Sequence, residues 1–252
     1  MNNYKNYKAS ENLFKDRVIL ITGAGQGIGR AAALAYSEYG ATIILHGRKV
    51  EKLERVYDEI ESRGKPQPVI CPLDFETAKD KDFMGMADAI AQQLGRLDGI
   101  LHNAAFLFGA TPLENETLDH WQTLLKVNLI APFALTRACL PLLKNSPDAS
   151  VIMTTNTHAH HSAAYWGGFA VAKSGVETLV KIQSEEWEMF PNLRINAVIP
   201  GPVNSPQRAR THPGEVKHTM LQPEALMPTY LYLMGPDSRG VTGQTIFCQI
   251  DK

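Results

Sequence analysis

One short segment constrains this chain more than any other: Thr22-Gly23-Ala24-Gly25-Gln26-Gly27-Ile28-Gly29. It follows the apolar run Val18-Ile19-Leu20-Ile21 and opens the helical stretch 28–39. The glycines allow a sharp turn out of a strand and a close backbone approach to a pyrophosphate. The helix that begins there offers unpaired N–H groups and a partial positive charge. A glycine-rich string is weak evidence alone; the strand before it and the helix after it give it meaning. On this reading Gly23, Gly25, Gln26, Gly27, Ile28 and Gly29 cradle a dinucleotide.

The rest of the chain repeats the same alternation. Strands are expected at 18–21, 42–45, 68–71, 99–102, 150–153, 194–199 and 244–250. Between them lie helices at 28–39, 50–62, 77–94, 117–144 (interrupted near Pro132), 164–190 and 223–234. Short, wholly apolar strands alternating with helices indicate a parallel sheet covered on both faces. Seven of them predict an α/β, doubly wound Rossmann fold in a single domain over 1–252, with an N-terminal extension over 1–15. Residues 202–222 are rich in Pro, Arg, His and Thr and weak in periodicity. Such a segment, beyond a strand's carboxyl end, is expected to act as a substrate lid.

Composition excludes several classes. With 25 basic and 26 acidic residues there is no cationic surplus for nucleic-acid binding. Cys71, Cys139 and Cys248 are far apart and form no CxxC pair, so reduced thiols are expected and no structural metal. The N-terminus has no apolar signal core, and no run of ~18 apolar residues suggests a membrane span. A soluble, cytoplasmic protein with no membrane partner is expected.

The second strand ends at His46-Gly47-Arg48-Lys49. A carboxylate there would accept hydrogen bonds from the ribose 2'-hydroxyl of NAD. Two cations stand there instead, and Arg48 can pair bidentately with a 2'-phosphate. NADP(H) is therefore preferred over NAD(H).

Together these motifs resemble the short-chain dehydrogenase/reductase family, classical type, from Asp16 to Gly243. The segments ITGAGQGIGR, GRKVEKL, RLDGILHNAA and LYLMG resemble a little-characterised bacterial branch of oxidoreductases. The resemblance implies that Asp74, after Leu73, contacts the adenine and that Asn103 lies beside the ribose. It implies that Pro200, Gly201 and Val203 shape the nicotinamide pocket. Asn128 matches the family's structural and catalytic asparagine, and Lys173 its lysine, which holds the nicotinamide ribose. The implied activity is hydride transfer to a small carbonyl substrate or from an alcohol. The resemblance also implies a homodimer or homotetramer, assembled on the two long helices with broad apolar faces.

The sequence departs from the family at the proton donor. Counting back four residues from Lys173 puts Phe169 where the family has tyrosine. Thirteen residues earlier stands Asn156, where the family has serine. Phenylalanine has no proton to give, although Asn156 can still donate a hydrogen bond to an oxyanion. Three readings stay open. The protein binds NADP(H) without turnover; or a neighbour supplies the acid; or its chemistry needs no phenol. Tyr165, one helical turn before Phe169, is the leading substitute, with Thr155, Thr157, His158, His160 and His161 nearby. Phe106, Leu107, Phe108, Tyr165 and Trp166 suggest a fairly apolar substrate pocket.

Overall fold

The computed structural model describes residues 4–216 and 219–249. The outer ends of the extension 1–15 and of the strand expected at 244–250, and two residues of the lid, lie outside the described residues. The strands are β1 (Val18–Thr22), β2 (Thr42–Gly47), β3 (Val69–Pro72), β4 (Gly99–His102), β5 (Ala149–Thr154), β6 (Leu193–Ile199) and β7 (Thr245–Phe247). They form one sheet in the order β3-β2-β1-β4-β5-β6-β7, parallel throughout. The helices are α1 (Gly27–Glu38), α2 (Val50–Ser62), α3 (Asp80–Leu94), α4 (Leu118–Leu125), α5 (Ala131–Asn145), α6 (Thr157–His160), α7 (Gly167–Glu186), α8 (Pro206–Thr211) and α9 (Met227–Met234).

The period of two along each strand splits the core. Ile19, Ile21, Ile43, Leu45, Ile152 and Val198 face one cluster, which they share with α1, α2 and α9. Val18, Leu20, Ile44, Val151, Met153 and Ile195 face the other, shared with α3, α5 and α7. Each helix buries the stripe its spacing dictates: Leu53, Val56 and Ile60 on α2, for example, and Phe83, Met86, Ala87 and Ile90 on α3. The doubly wound fold is as expected. Because strand order reverses between β1 and β4, their carboxyl ends diverge and leave a crevice.

Local departures have physical causes. The expected long helix 117–144 is three pieces: α4, a π-helical turn at Lys126–Ile130, and α5. The irregular turn precedes Pro132, whose missing N–H leaves a gap in the helical hydrogen-bond ladder. Length and mean hydropathy make the run Leu118–Asn145 comparable to a membrane span, contrary to the expectation from consecutive apolar residues. However, 56% of its most apolar stretch is buried within the protein, as in a core helix. The N-terminal extension is packed rather than loose: Phe14 is fully buried, and Tyr4 and Tyr7 lie against Tyr232. All three cysteines are free thiols.

A charge cluster closes the amino-terminal edge of the sheet. Asp148 accepts hydrogen bonds from Arg17 Nη1 (2.7 Å), Arg194 Nη1 (2.7 Å) and Arg239 Nε (3.0 Å). Arg194 also donates to the carbonyls of Met234 and Gly235, tying β6 to the turn after α9. Burial alone would raise the Asp148 pKa; the arginines outweigh it and hold the carboxyl down at about 2. Its ionised form therefore stabilises the fold fully above its ordinary value of 3.8, and that contribution disappears as pH falls through about 2. We predict that Asp148→Ala lowers unfolding free energy by about 3–5 kcal/mol in urea titrations at pH 7. The gap between wild type and variant should shrink by about 2 kcal/mol between pH 4 and pH 2. A gap constant with pH would refute the assignment.

Candidate active site

The glycine turn sits where β1 hands over to α1. Gly23 has φ +69° and Gly27 φ +56°, backbone that favours glycine. A Cβ on Gly29 would lie 2.2 Å from the Gly23 carbonyl oxygen, so the helix can rest on the turn only without a side chain there. Thr22 Oγ1 accepts from the N–H groups of Asn103 and Ala104, both at 3.0 Å. That hydroxyl locks the end of β1 to the end of β4. Gln26 caps α1 without a side-chain bond to its N–H groups, because its Oε1 accepts from Lys52 Nζ instead. The first-turn N–H groups of α1 are left for a ligand.

A cleft of about 360 Å³ opens above this turn. Gly23, Gly25, Gln26, Gly27, Ile28, Arg48, Asp74 and Asn103 all line it. Arg48 is about half exposed, 4.0 Å from Asp74 Oδ1 and 3.9 Å from Glu76 Oε2, with its guanidinium over the Phe106 ring. These ion pairs are long and solvated, so an incoming phosphate can replace them at small cost. Lys49, Lys52 and Arg210 line the same cleft. Lys52 and Arg210 were missed in the sequence. Lys52 lies one turn beyond Arg48-Lys49 on α2, and Arg210 belongs to the arginine-rich lid. Beneath them His46 is buried and stacked on Phe75 at 4.4 Å. Burial pushes its pKa down to about 4, so it is a neutral wall and no anion ligand at pH 7.

The cleft continues past Asn103 into a second hollow of about 320 Å³. Asn156, Phe169, Lys173, Pro200, Gly201 and Val203 meet there, from the ends of β5 and β6 and the start of α7. Lys173 is buried and donates to the Thr154 carbonyl at 2.9 Å. Burial lowers its pKa to about 8, which leaves it mostly charged at pH 7. Asn156 caps α6, its Oδ1 accepting from His158 N at 2.8 Å, so its amide –NH₂ is the group left to donate. Phe169 is buried with Trp166, Leu107 and Leu124 in a small apolar cluster of its own.

Two expected residues stand elsewhere. Tyr165 does not join the hollow: it is 57% exposed with φ +73°, and the inward place is taken by Trp166. Asn128 is fully buried in the π turn, with its polar atoms committed. Its Nδ2 donates to Leu124 O (2.9 Å) and Phe106 O (2.8 Å), and its Oδ1 accepts from Phe106 N (3.0 Å). It anchors the loop after β4 to the irregular helix and acts as a positioning residue. The hollow also holds Arg208 and His212 from the lid segment, which the sequence reading did not single out.

Residues 23–250 match the family described as enoyl-(acyl carrier protein) reductase. The chain is 39% identical over 243 residues to the uncharacterised oxidoreductase YciK of Escherichia coli K12, covering 96% of each. It superposes with TM-score 0.94 on a presumed short-chain dehydrogenase from Pseudomonas syringae, 42% identical, covering 97% and 99% of the two chains. This chain belongs to the short-chain dehydrogenase/reductase family. A presumed family member from E. coli CFT073, solved in complex with NADPH, is 40% identical with TM-score 0.92, covering 96% of this chain and all of that one.

The Gly29 contact yields a direct check. Gly29→Ala should cost about 1–3 kcal/mol through overpacking against Gly23. A thermal melt would read this as roughly 2–4 °C in Tm per kcal/mol. An unchanged Tm would show that the helix does not rest on the turn.

Proposed function

We propose that this protein is a cytoplasmic, NADP(H)-dependent oxidoreductase acting on a small carbonyl or alcohol, with an altered catalytic centre. The observation that carries this reading is the charge of the first cleft. Arg48, Lys49, Lys52 and Arg210 line it, and Asp74 is the one carboxylate among the described lining residues. A dinucleotide with a 2'-phosphate matches that balance and the open N–H groups of α1. The relative solved with NADPH supports the choice.

In this assignment the backbone from Gly23 to Gly29 holds the pyrophosphate, Arg48 the 2'-phosphate and Asp74 the adenine. Asn103 lies beside the ribose, and Lys173 holds the nicotinamide ribose through its buried ammonium. Pro200, Gly201 and Val203 wall the nicotinamide end. When bound, the nucleotide supplies or accepts a hydride. Asn156 Nδ2 donates to the substrate oxygen, and the lid segment 202–222 covers the hollow against water. Exposed apolar side chains, Ile130 and Phe133 on one helical run and Val171 and Ile182 on α7, support assembly into a homodimer or homotetramer.

A second reading, a nucleotide-sensing protein without turnover, is favoured by Phe169. Its ring is 1% exposed and supplies no proton at the family's tyrosine position.

Fluorescence titration with NADPH and NADH tests the cofactor. NADPH should bind more tightly. Arg48→Ala should weaken it by roughly tenfold or more, the size of a lost charge-assisted hydrogen bond, and leave NADH nearly unchanged. Equal binding of both, unaffected by the substitution, would sink the assignment. The catalytic arm uses the double variant Phe169→Tyr with Asn156→Ser. Its rate of NADPH oxidation with a carbonyl panel should rise if the centre is a modified form of the family's. No rise would count against that account.

A further inference from the structure

We infer that His158 is the proton donor of the second hollow, in the role that a phenol at position 169 would otherwise fill. The inference rests on the reading of the cleft as a site of NADPH-dependent carbonyl reduction.

Three histidines follow β5, and the fold separates them. His160 Nδ1 lies 3.2 Å from Glu177 Oε2, and its ring meets Phe247 edge-on. His161 is exposed. Of the three, His158 alone lines the hollow, with Asn156, Phe169 and Lys173. Its position is built from two sides. The backbone N–H of His158 donates to Asn156 Oδ1 at 2.8 Å. The imidazole stacks on Trp166 at 4.2 Å with 29° between planes. Trp166 in turn packs 5.9 Å from the Phe169 ring. The three rings form a pile with Phe169 at one end and the titratable ring at the other. An acid missing at position 169 is replaced two rings away, in the hollow that the same amide donor and the same ammonium line.

Partial burial disfavours the imidazolium most; a hydrogen bond to the His161 backbone favours it, and His212 and Arg208, from the lid side, disfavour it. Lys173 lines the hollow from α7, and no carboxylate lines it among the described residues. The net effect lowers the His158 pKa below 6.5, burial being the largest cause. Its protonated form is a stronger acid than a free imidazolium and is populated toward acidic pH.

A hydride from the reduced nicotinamide forms the new C–H bond at the carbonyl carbon. The carbonyl π pair moves to oxygen, which takes the proton as the imidazolium N–H bond breaks. The products are an alcohol, the oxidised nicotinamide and neutral His158, which regains a proton from solvent.

The test measures NADPH affinity by fluorescence, and NADPH oxidation with 2,3-butanedione, benzaldehyde and menadione from pH 5 to 8. Reduction needs the protonated ring, so wild-type kcat should fall as pH rises through a midpoint below 6.5. His158→Asn should keep NADPH affinity within twofold, lose roughly 100-fold or more in kcat, and lose that pH dependence. His212→Asn removes a neighbouring ring that disfavours the imidazolium and should move the midpoint upward. Overturning results are a His158→Asn rate within threefold of wild type, or turnover abolished by Tyr165→Phe while His158→Asn stays active. NADPH binding without oxidation by any probe also overturns the assignment and leaves the cofactor reading standing. Failure to bind NADPH overturns both.

Discussion

The close approach of α1 to the end of β1 governs the rest of the site. Gly29 rests on the Gly23 carbonyl with no room for a Cβ, and Thr22 holds Asn103 and Ala104 through one hydroxyl. These contacts bring a helix N-terminus and two strand ends into one crevice. Every later feature of the cleft is placed relative to them. The cations after β2 and on α2 sit on one side, and Lys173, Asn156 and Phe169 on the other.

A second constraint acts on the far wall. Asn128 interrupts the helical hydrogen-bond pattern, and its amide doubles as a partner for both backbone groups of Phe106. The π turn thus fixes the loop after β4, which contributes Asn103 through Leu107 to the cleft. Glu116, from the same connection, accepts from Gly168 N and caps α7, whose first two turns carry Phe169 and Lys173. The two walls are coupled through these side-chain-to-backbone hydrogen bonds and through the apolar cluster of Leu107, Leu124, Trp166 and Phe169.

Much of this was readable in advance because it depends on local rules. The seven strands, their burial on both faces, and the glycine turn follow from period, hydrophobicity and backbone freedom. Gly23, Gly27, Arg48, Asp74, Asn103 and Lys173 lie where order along a doubly wound sheet puts them, at the carboxyl ends of strands. Lys52 and Arg210 were harder to read. Their neighbours in space come from different segments, and a lysine on an amphipathic helix has the sequence signature of any solvated face. Tyr165 and Trp166 show the limit most plainly. Adjacent aromatic residues at a helix start have similar chemistry in one dimension, yet one is buried and the other is mostly exposed.

The sequence by itself determined the sheet, the dinucleotide turn and the loss of the phenol at position 169. Each is a property of residue identity within a few positions of chain. The tertiary structure decided which polar groups surround the vacated position. It turned Tyr165 outward, paired His160 with Glu177, and stacked His158 on Trp166 in the hollow that Lys173 also lines. The reason is physical: an acid is useful only where it reaches the reacting oxygen, and that distance is set by the packing of three strand ends.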